Sequence, residues 1–484
     1  MGSITIVGLG PGAPEQLTRE AWQVLSETPE LWLRTTHHPV VADLPPGLRI
    51  HSFDALYERA DSFQEVYRAI AAEVLTLGRR EEGCVYGVPG HPLVGEAAAM
   101  HILRGAEQAE VPVRVVAGLS FIEPMLTALR LDALDGLQTL DALAVADLHH
   151  PPFNPDLPAL IAQIYNRRVA SALKLTLMNQ YPDDHEVALV DAGGTPAERV
   201  AWLPLFAVDR QPLGALTSLY VPPLGSVSSF EGFQETIARL RAPEGCPWDR
   251  EQTHESLRTN LLEEAYEVLE SIDRDEPEAL REELGDLLLQ IVLHAQIATE
   301  LGEFQMAEVI RSIDEKIKHR HPHVWGEVEV ADAEEVSLNW ETLKRQERET
   351  QGREGHSLLA SVPRTLPALA QAYAYVSRAK HVGFDWPTLE AVKAKVEEEI
   401  RELEAARDAE ERFIEMGDLL LAVANWARWL GVEPESALRE ANARFAQRFQ
   451  HVEEAARQGG VPLEELGVEE LLQLWDAAKG ALAE

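Results

Sequence analysis

The sequence predicts a multi-domain chain: an α/β domain over about the first 225 residues, followed by two all-α copies of one helical unit. Three observations predict it. Up to about residue 225, short apolar strands alternate with helical stretches, which is the signature of α/β architecture. Beyond about residue 230, apolar residues recur near the 3.6 period, as in Leu257, Leu261, Leu262, Ala265, Val268 and Leu269, and strand signals almost vanish. Within that helical half one pattern of acidic, basic and tryptophan positions occurs twice.

Strands are expected at Ile4–Val7, Leu31–Leu33, Cys84–Tyr86, Val113–Val116, Leu173–Leu177 and Val187–Val190, and helices at Pro14–Glu27, Ser62–Leu77 and Leu157–Arg167. The segment Thr217–Ser229 (TSLYVPPLGSVSS) is rich in Pro, Gly and Ser and reads as a domain boundary. A second break is expected at Thr350–Gly355 (TQGREG), with Pro363 and Pro367 after it. The expected domains are therefore 1–225, 230–350 and 356–484.

Composition narrows the function classes. The 484 residues are enough for roughly three domains with sizeable cores. Lys and Arg total 43 against 81 Asp and Glu, a net charge of -38. Residues 1–225 hold 15 basic and 27 acidic residues, and residues 226–484 hold 28 and 54. Such a surface repels phosphate backbones and anionic lipid, so neither nucleic acid nor a membrane surface is expected as a partner. Apolar content of 45% with 10 Trp excludes a disordered acidic chain. No apolar stretch approaches the roughly 18 residues a membrane span needs. Two cysteines, Cys84 and Cys246, make no disulfide framework, and the start at Met1–Gly10 runs straight into a strand with no secretory pattern. A soluble cytoplasmic protein is expected.

The repeated pattern carries the chemistry. Glu263-Glu264-x-x-Glu267 recurs as Glu398-Glu399-x-x-Glu402, and Glu283-x-x-Asp286 recurs as Glu415-x-x-Asp418. Lys316, Arg320, Trp340 and Lys344 recur as Arg444, Arg448, Trp475 and Lys479, with offsets of 128 to 135 across the whole set. An acidic pair at i and i+3 presents both carboxylates on one helix face. The dozen residues between the pairs are enough to turn the chain back and aim four carboxylates into one gap. Four close negative charges do not all stay ionised without compensation. A hard divalent cation with an oxygen shell compensates them, and Mg2+ suits a site completed by phosphates. Basic groups downstream can then hold the phosphates. One acidic pair alone is no evidence, because a chain this acidic places many on solvated helix faces. Two pairs per unit, repeated with matching basic and Trp positions, are a different matter.

These residues resemble the MazG family of nucleoside triphosphate pyrophosphohydrolases. The matching strings are GCPWDREQT at Gly245–Thr253, LLEEAYEVLE at Leu261–Glu270, RHPHVW at Arg320–Trp325, VGFDW at Val382–Trp386 and the EEIRE…EMGD pattern. The resemblance implies an α-helical, Mg2+-dependent enzyme, usually a homodimer, that cleaves nucleoside triphosphates to monophosphate and pyrophosphate. It implies Glu399, Glu402, Glu415 and Asp418 as metal ligands, with Glu264, Glu267, Glu283 and Asp286 as their counterparts. It implies Lys395, Arg444, Arg448 and Lys479 at the phosphates and Trp475 near the nucleotide. Glu398 is a spare carboxylate, either orienting the attacking water or merely solvated; with Lys395 and Arg448 it completes the candidate catalytic set. The first copy has Asn260 where the second has Lys395; the resemblance leaves both copies as candidates and favours the second, where the family usually places the competent site. The second copy has Glu411 where the family tends to have Lys, with Arg412 beside it as a possible substitute. The string His319–His323 is too tightly spaced for a structural zinc site and reads as a structural or phosphate-facing loop.

In the α/β part three glycine-bearing loops follow strands: Gly8-Leu9-Gly10-Pro11-Gly12, Val88–Gly95 and Ala117–Phe121. The first is not the dinucleotide fingerprint, because Pro11 removes an amide donor and the spacing differs. The three loops, with KLTLM at Lys174–Met178 and LYVPP at Leu219–Pro223, resemble the S-adenosylmethionine-dependent tetrapyrrole (corrin/porphyrin) methylase family over about 1–222. That resemblance implies two α/β lobes, the second beginning near Val116, with the cofactor between them. It implies Gly8, Gly10, Pro89, Gly90, His91, Val94, Ser120, Phe121 and Met178 along the cofactor cleft, and a tetrapyrrole or another methyl acceptor as partner. His91 stands where many members have Asp. Two other readings stay open: a tetrapyrrole methyltransferase whose helical half mainly dimerises, and an S-adenosylmethionine-sensing regulatory protein.

Overall fold

The computed structural model describes residues 2–57, 59, 62–333, 335–336, 339–340, 343, 347, 357–360 and 362–481. The chain forms two compact units, 1–311 and 312–484. The break expected at Thr350–Gly355, the domain start at 356 and Lys344 lie outside the described residues.

The first unit begins with a wholly parallel sheet of β1 (Ile4–Gly8), β2 (Glu30–Leu33), β3 (Arg49–Ser52), β4 (Cys84–Val88) and β5 (Val113–Val116), in the order β3-β2-β4-β1-β5. Its central strands are apolar because helices cover both faces. On one face α2 (Phe63–Gly78) and α3 (Ala97–Gln108) pack Ile70, Val74, Ala98 and Ile102 against Ile4, Ile6 and Tyr86. On the other, α1 (Arg19–Glu27), capped by Thr18, packs Ala21 and Leu25 with Val7, Leu9, Leu31 and Leu33. The connections from β1 and β4 leave toward opposite sides of the sheet. The carboxyl ends of β4, β1 and β5 therefore adjoin at a switch point, the usual crevice of an open α/β sheet.

A second sheet follows, β6 (Gln138–Asp141), β7 (Ala159–Ala162), β8 (Glu186–Asp191), β9 (Arg199–Pro204) and β10 (Thr217–Val221), in the order β6-β7-β10-β8-β9. Only β6 and β7 run parallel. Here two sequence expectations are exchanged. Leu157–Arg167, expected as a helix, contains β7. Leu173–Leu177, expected as a strand, lies inside the helix α4 (Arg167–Leu177). Short apolar runs do not separate strand from helix by periodicity alone. The Asn166 cap, which accepts from the Val169 amide, decides where the helix starts. Of the segment Thr217–Ser229, the first five residues are β10, the middle strand of this sheet. β3, β6 and β9 were not expected; β3 and β9 are mostly exposed and lack a buried apolar stripe.

The helical part is tied to the second sheet by Asp156, which accepts from the Ser228 and Ser229 amides. Ser229 then caps α5 (Phe230–Arg241). The helices α6 (Arg258–Asp273) and α7 (Pro277–Leu301) form a hairpin, and α8 (Met306–Arg320) follows. Ile237, Leu257, Val292, Leu293, Ile297 and Met306 make their core.

The second unit is helical: α9 (Ala368–Lys380), α10 (Leu389–Ala405), α11 (Ala409–Trp429), α12 (Pro434–Gly459) and α13 (Val468–Ala481). Asp385 joins the loop before α10 to the end of α11 by accepting from Trp429 Nε1 at 3.1 Å and from Arg428. Among the described residues no helix is long and apolar enough to cross a membrane.

Candidate functional site

The helical pair α10/α11 brings the expected carboxylates together. Thr388 caps α10. Val392, Val396 and Glu399 are its buried residues, so Glu399 occupies a place on the helix's apolar stripe. Three residues later Glu402 faces the same way, and a turn of only three residues (406–408) leads into α11, capped by Asp408. The dozen residues expected to reverse the chain are thus mostly helix. Glu399, Glu402 and Glu415 each place a carboxylate oxygen within 4.8 Å of the others. Asp418 stands outside that grouping, yet its charge, after burial and Glu402, helps hold the Glu415 carboxyl above its ordinary pKa.

The pair α6/α7 carries the corresponding arrangement. Glu264, Glu267 and Glu283 bring carboxylate oxygens within 4.8 Å of one another. Burial first, then the charges of Asp286 and Glu267, raise the pKa of Glu264; burial and Glu267 raise that of Glu283. Both shifts have the direction that burial, joined by repulsion inside an uncompensated acidic cluster, produces. An all-oxygen set of this kind is compatible with a hard divalent cation.

The two clusters differ in their counter-charge. Lys395 lies 2.7 Å from Glu399 and 2.7 Å from Glu398. Those two hydrogen bonds, that to Glu398 the stronger influence, raise the Lys395 pKa, and Lys395 in turn lowers that of Glu398. Asn260 stands at the corresponding position of α6 and brings no charge. Arg412 donates to the Asp408 carbonyl, and Glu411 accepts from the Arg407 amide.

Apart from Lys395 on α10, the expected phosphate and nucleotide residues sit on α12 and α13. Arg444 pairs with Glu440, Lys479 with Asp476, and the Trp475 ring lies 5.0 Å from that of Phe445. The two ion pairs stay within their own helices, the ring contact joins α12 to α13, and Arg448 lies one turn beyond Arg444 on α12. Arg320 forms a forked pair with Glu347, and His321 packs on Trp340, so the histidine string serves local structure there.

In the first unit the three glycine loops meet backbone to backbone. Gly10 and Gly90 exchange amide hydrogen bonds. A Cβ on Gly118 would stand 2.4 Å from the Gly90 carbonyl oxygen, and one on Gly8 would stand 2.6 Å from the Gly118 nitrogen. Only glycine permits that approach. Beside these loops lies a cleft of about 400 Å³. Of the expected cofactor residues, Pro89, Gly90, Val94 and Phe121 line it; Gly8 and Gly10 support the loops behind it. His91 turns back on its own loop, its Nδ1 accepting from the Leu93 amide, and Ser120 donates to Glu123. Met178 lies just past α4, partly exposed, and is not among the lining residues. The cleft also contains Arg34, His38 and Glu96, which sequence reasoning missed. Arg34 and Glu96 are 62 residues apart, and no spacing ties them together.

Residues 3–208 match the tetrapyrrole (corrin/porphyrin) methylases, and residues 252–325 match the MazG nucleotide pyrophosphohydrolase domain. An uncharacterized Bacillus subtilis protein, YabN, is 41% identical over 494 residues, covering 99% of this chain and 98% of its own. A Thermotoga maritima protein named nucleoside triphosphate pyrophosphohydrolase/pyrophosphatase MazG is 46% identical over 252 residues, 52% of this chain and 96% of its own. An Escherichia coli protein named nucleoside triphosphate pyrophosphohydrolase is 42% identical over 249 residues, 50% of this chain and 94% of its own.

Proposed function

The chain belongs to the MazG family, with a tetrapyrrole methylase domain at its amino-terminal side, and on that premise we propose that it hydrolyses nucleoside triphosphates to nucleoside monophosphate and pyrophosphate. The observation that carries the reading is the convergence of Glu399, Glu402 and Glu415 on one gap between α10 and α11. The reading assigns Mg2+ to that gap, with Asp418 as a further carboxylate beside it. When bound, Mg2+ supplies positive charge against phosphate oxygens as negative charge develops on them.

The protein's own groups do the rest. Glu399 keeps a carboxylate on a mostly apolar stripe, where its attraction for a cation is little screened by water. Lys395, which lies between Glu398 and Glu399, would turn its ammonium onto a phosphate oxygen of the substrate. Glu398, then released from Lys395, can accept a proton from the attacking water. Arg444, Arg448 and Lys479 hold the phosphates and Trp475 stacks beside the nucleotide. The reading puts turnover in the second copy, because Lys395 is present there and Asn260 replaces it in the first. The first set, Glu264, Glu267, Glu283 and Asp286, remains a metal site. A homodimer is part of the reading; Phe413, 84% exposed, and the neighbouring exposed Ile414 and Leu420 support a covered face on α11.

The amino-terminal half, on the same reading, binds S-adenosylmethionine in the cleft beside the three loops; its family match and the glycine packing support this. The test of the main activity is incubation with Mg2+ and each nucleoside triphosphate. Monophosphate and pyrophosphate in equal amounts are expected. Diphosphate and orthophosphate as the sole products would exclude the proposal.

A further inference from the structure

One wall of the amino-terminal cleft holds polar atoms that the fold leaves unpaired. Arg34, just past β2, donates through Nη1 to Glu96 Oε2 at 2.7 Å. The Glu96 side chain is 2% exposed and that of Arg34 25%. Arg34 Nε and Glu96 Oε1 make no close hydrogen bond, and beyond Arg34 the Glu96 carboxylate has only the Ala98 amide at the start of α3 beside it. A buried polar atom left unpaired is costly, and native folds leave few of them without a reason. Here one is a donor, the other an acceptor, and both side chains line the cleft. Among the described lining residues Arg34 and Glu96 are the only Lys, Arg, Asp or Glu, so the wall is neutral overall and strongly dipolar.

That pattern has a chemical complement. A carboxylate answers the guanidinium, an ammonium answers the carboxylate, and an α-amino acid carries both groups a few bonds apart. We propose that Arg34 and Glu96 together recognise the α-amino-acid head group of the ligand in this cleft, Arg34 taking its carboxylate and Glu96 its ammonium. The inference rests on the reading of this half as an S-adenosylmethionine-binding domain and names the residues that read the amino-acid end. A free amino acid offers the same head group. The cleft volume of about 400 Å³ favours the adenosyl compound, since sites for one drug-sized ligand run from about 300 to 1,000 Å³. A macrocycle bearing several carboxylates is poorly matched, because the wall offers a single cation for them.

The test is titration calorimetry on the full chain with three probes: S-adenosylhomocysteine, 5′-methylthioadenosine, which lacks the amino-acid end, and methionine. Wild type is expected to bind S-adenosylhomocysteine at least tenfold more tightly than methylthioadenosine. Glu96→Gln and, separately, Arg34→Lys are expected to lose most of that preference while binding methylthioadenosine as before, which also reports that they are folded. Methionine binding that Glu96→Gln abolishes supports the same assignment with a free amino acid as the source. Equal affinity of wild type for the two adenosyl compounds, or a preference that survives both substitutions, overturns the inference alone. Failure of wild type to bind either adenosyl compound contradicts the S-adenosylmethionine reading beneath it.

Discussion

Lys395 Nζ lies 2.7 Å from a carboxylate oxygen of Glu399, the buried acid of α10. The lysine is the built-in counter-ion of a carboxylate placed where a helix would ordinarily bury an apolar side chain. Replacing it with the residue of the other hairpin, Lys395→Asn, leaves Glu399 buried and unpaired. A fully buried broken pair costs about 3–5 kcal/mol, but exposure of Lys395 to solvent reduces that to roughly 1–2 kcal/mol. The variant is expected to melt lower than wild type in EDTA and to recover most of the difference in Mg2+. Thermal melts of both proteins under both conditions check this; identical melts in EDTA count against the counter-ion role.

The raised carboxylates give a pH dependence of definite sign. Glu264, Glu283 and Glu415 bind protons more tightly in the folded chain than in the unfolded one. Without metal their ionisation therefore opposes folding, and the penalty develops as pH rises through their raised pKa values. A cation in the cluster removes it. The rise in Tm produced by Mg2+ should be small near pH 4.5 and grow toward pH 7.5, with proton release on binding. Melts across that range, with and without Mg2+, measure it. A stabilisation independent of pH would contradict the assignment.

His38 gives the opposite sign in the other half. Burial first, and then the charge of Arg34, push its imidazole from its ordinary value of 6.5 down to about 4. It is neutral in the folded chain, so its contribution is present above pH 6.5 and lost as pH falls toward 4, by up to roughly 3 kcal/mol. His38→Gln should flatten the acid limb of the first unit's stability. Urea midpoints at pH 7 and pH 4.5 for both proteins decide it; parallel losses in the two would show that His38 is not responsible.

Gly118→Ala tests the packing of the three loops. The new Cβ would lie 2.4 Å from the Gly90 carbonyl oxygen, where backbone rather than a flexible side chain must yield. Overpacking of this kind costs about 1–3 kcal/mol or more. Calorimetry with S-adenosylhomocysteine should show binding weakened at least tenfold, while pyrophosphate release by the helical half persists.

How far the sequence reached follows from where its signals were local. The i, i+3 acidic pairs on adjacent helices were legible because helical periodicity fixes which side chains share a face, and Glu264, Glu267 and Glu283 meet as that periodicity requires. The glycine loops were legible because each follows an apolar strand, although Gly8 and Gly10 turn out to brace the cleft while Pro89, Gly90 and Phe121 line it. The exchange of strand and helix between 157 and 177 came from two short apolar runs that either element could bury, with the deciding Asn166 cap overlooked. Arg34 and Glu96 were invisible for another reason. Their meeting depends on β2 and β4 pairing in the sheet, a tertiary fact with no echo in local spacing.

The most direct test of the central claim is product analysis with Mg2+ and nucleoside triphosphate for wild type, Glu402→Gln and Glu267→Gln. Wild type is expected to yield monophosphate and pyrophosphate, Glu402→Gln to lose roughly a hundredfold or more of that turnover, and Glu267→Gln to keep near wild-type turnover. Loss of turnover in Glu267→Gln alone would contradict the choice of hairpin, and release of orthophosphate without pyrophosphate would contradict the reaction itself.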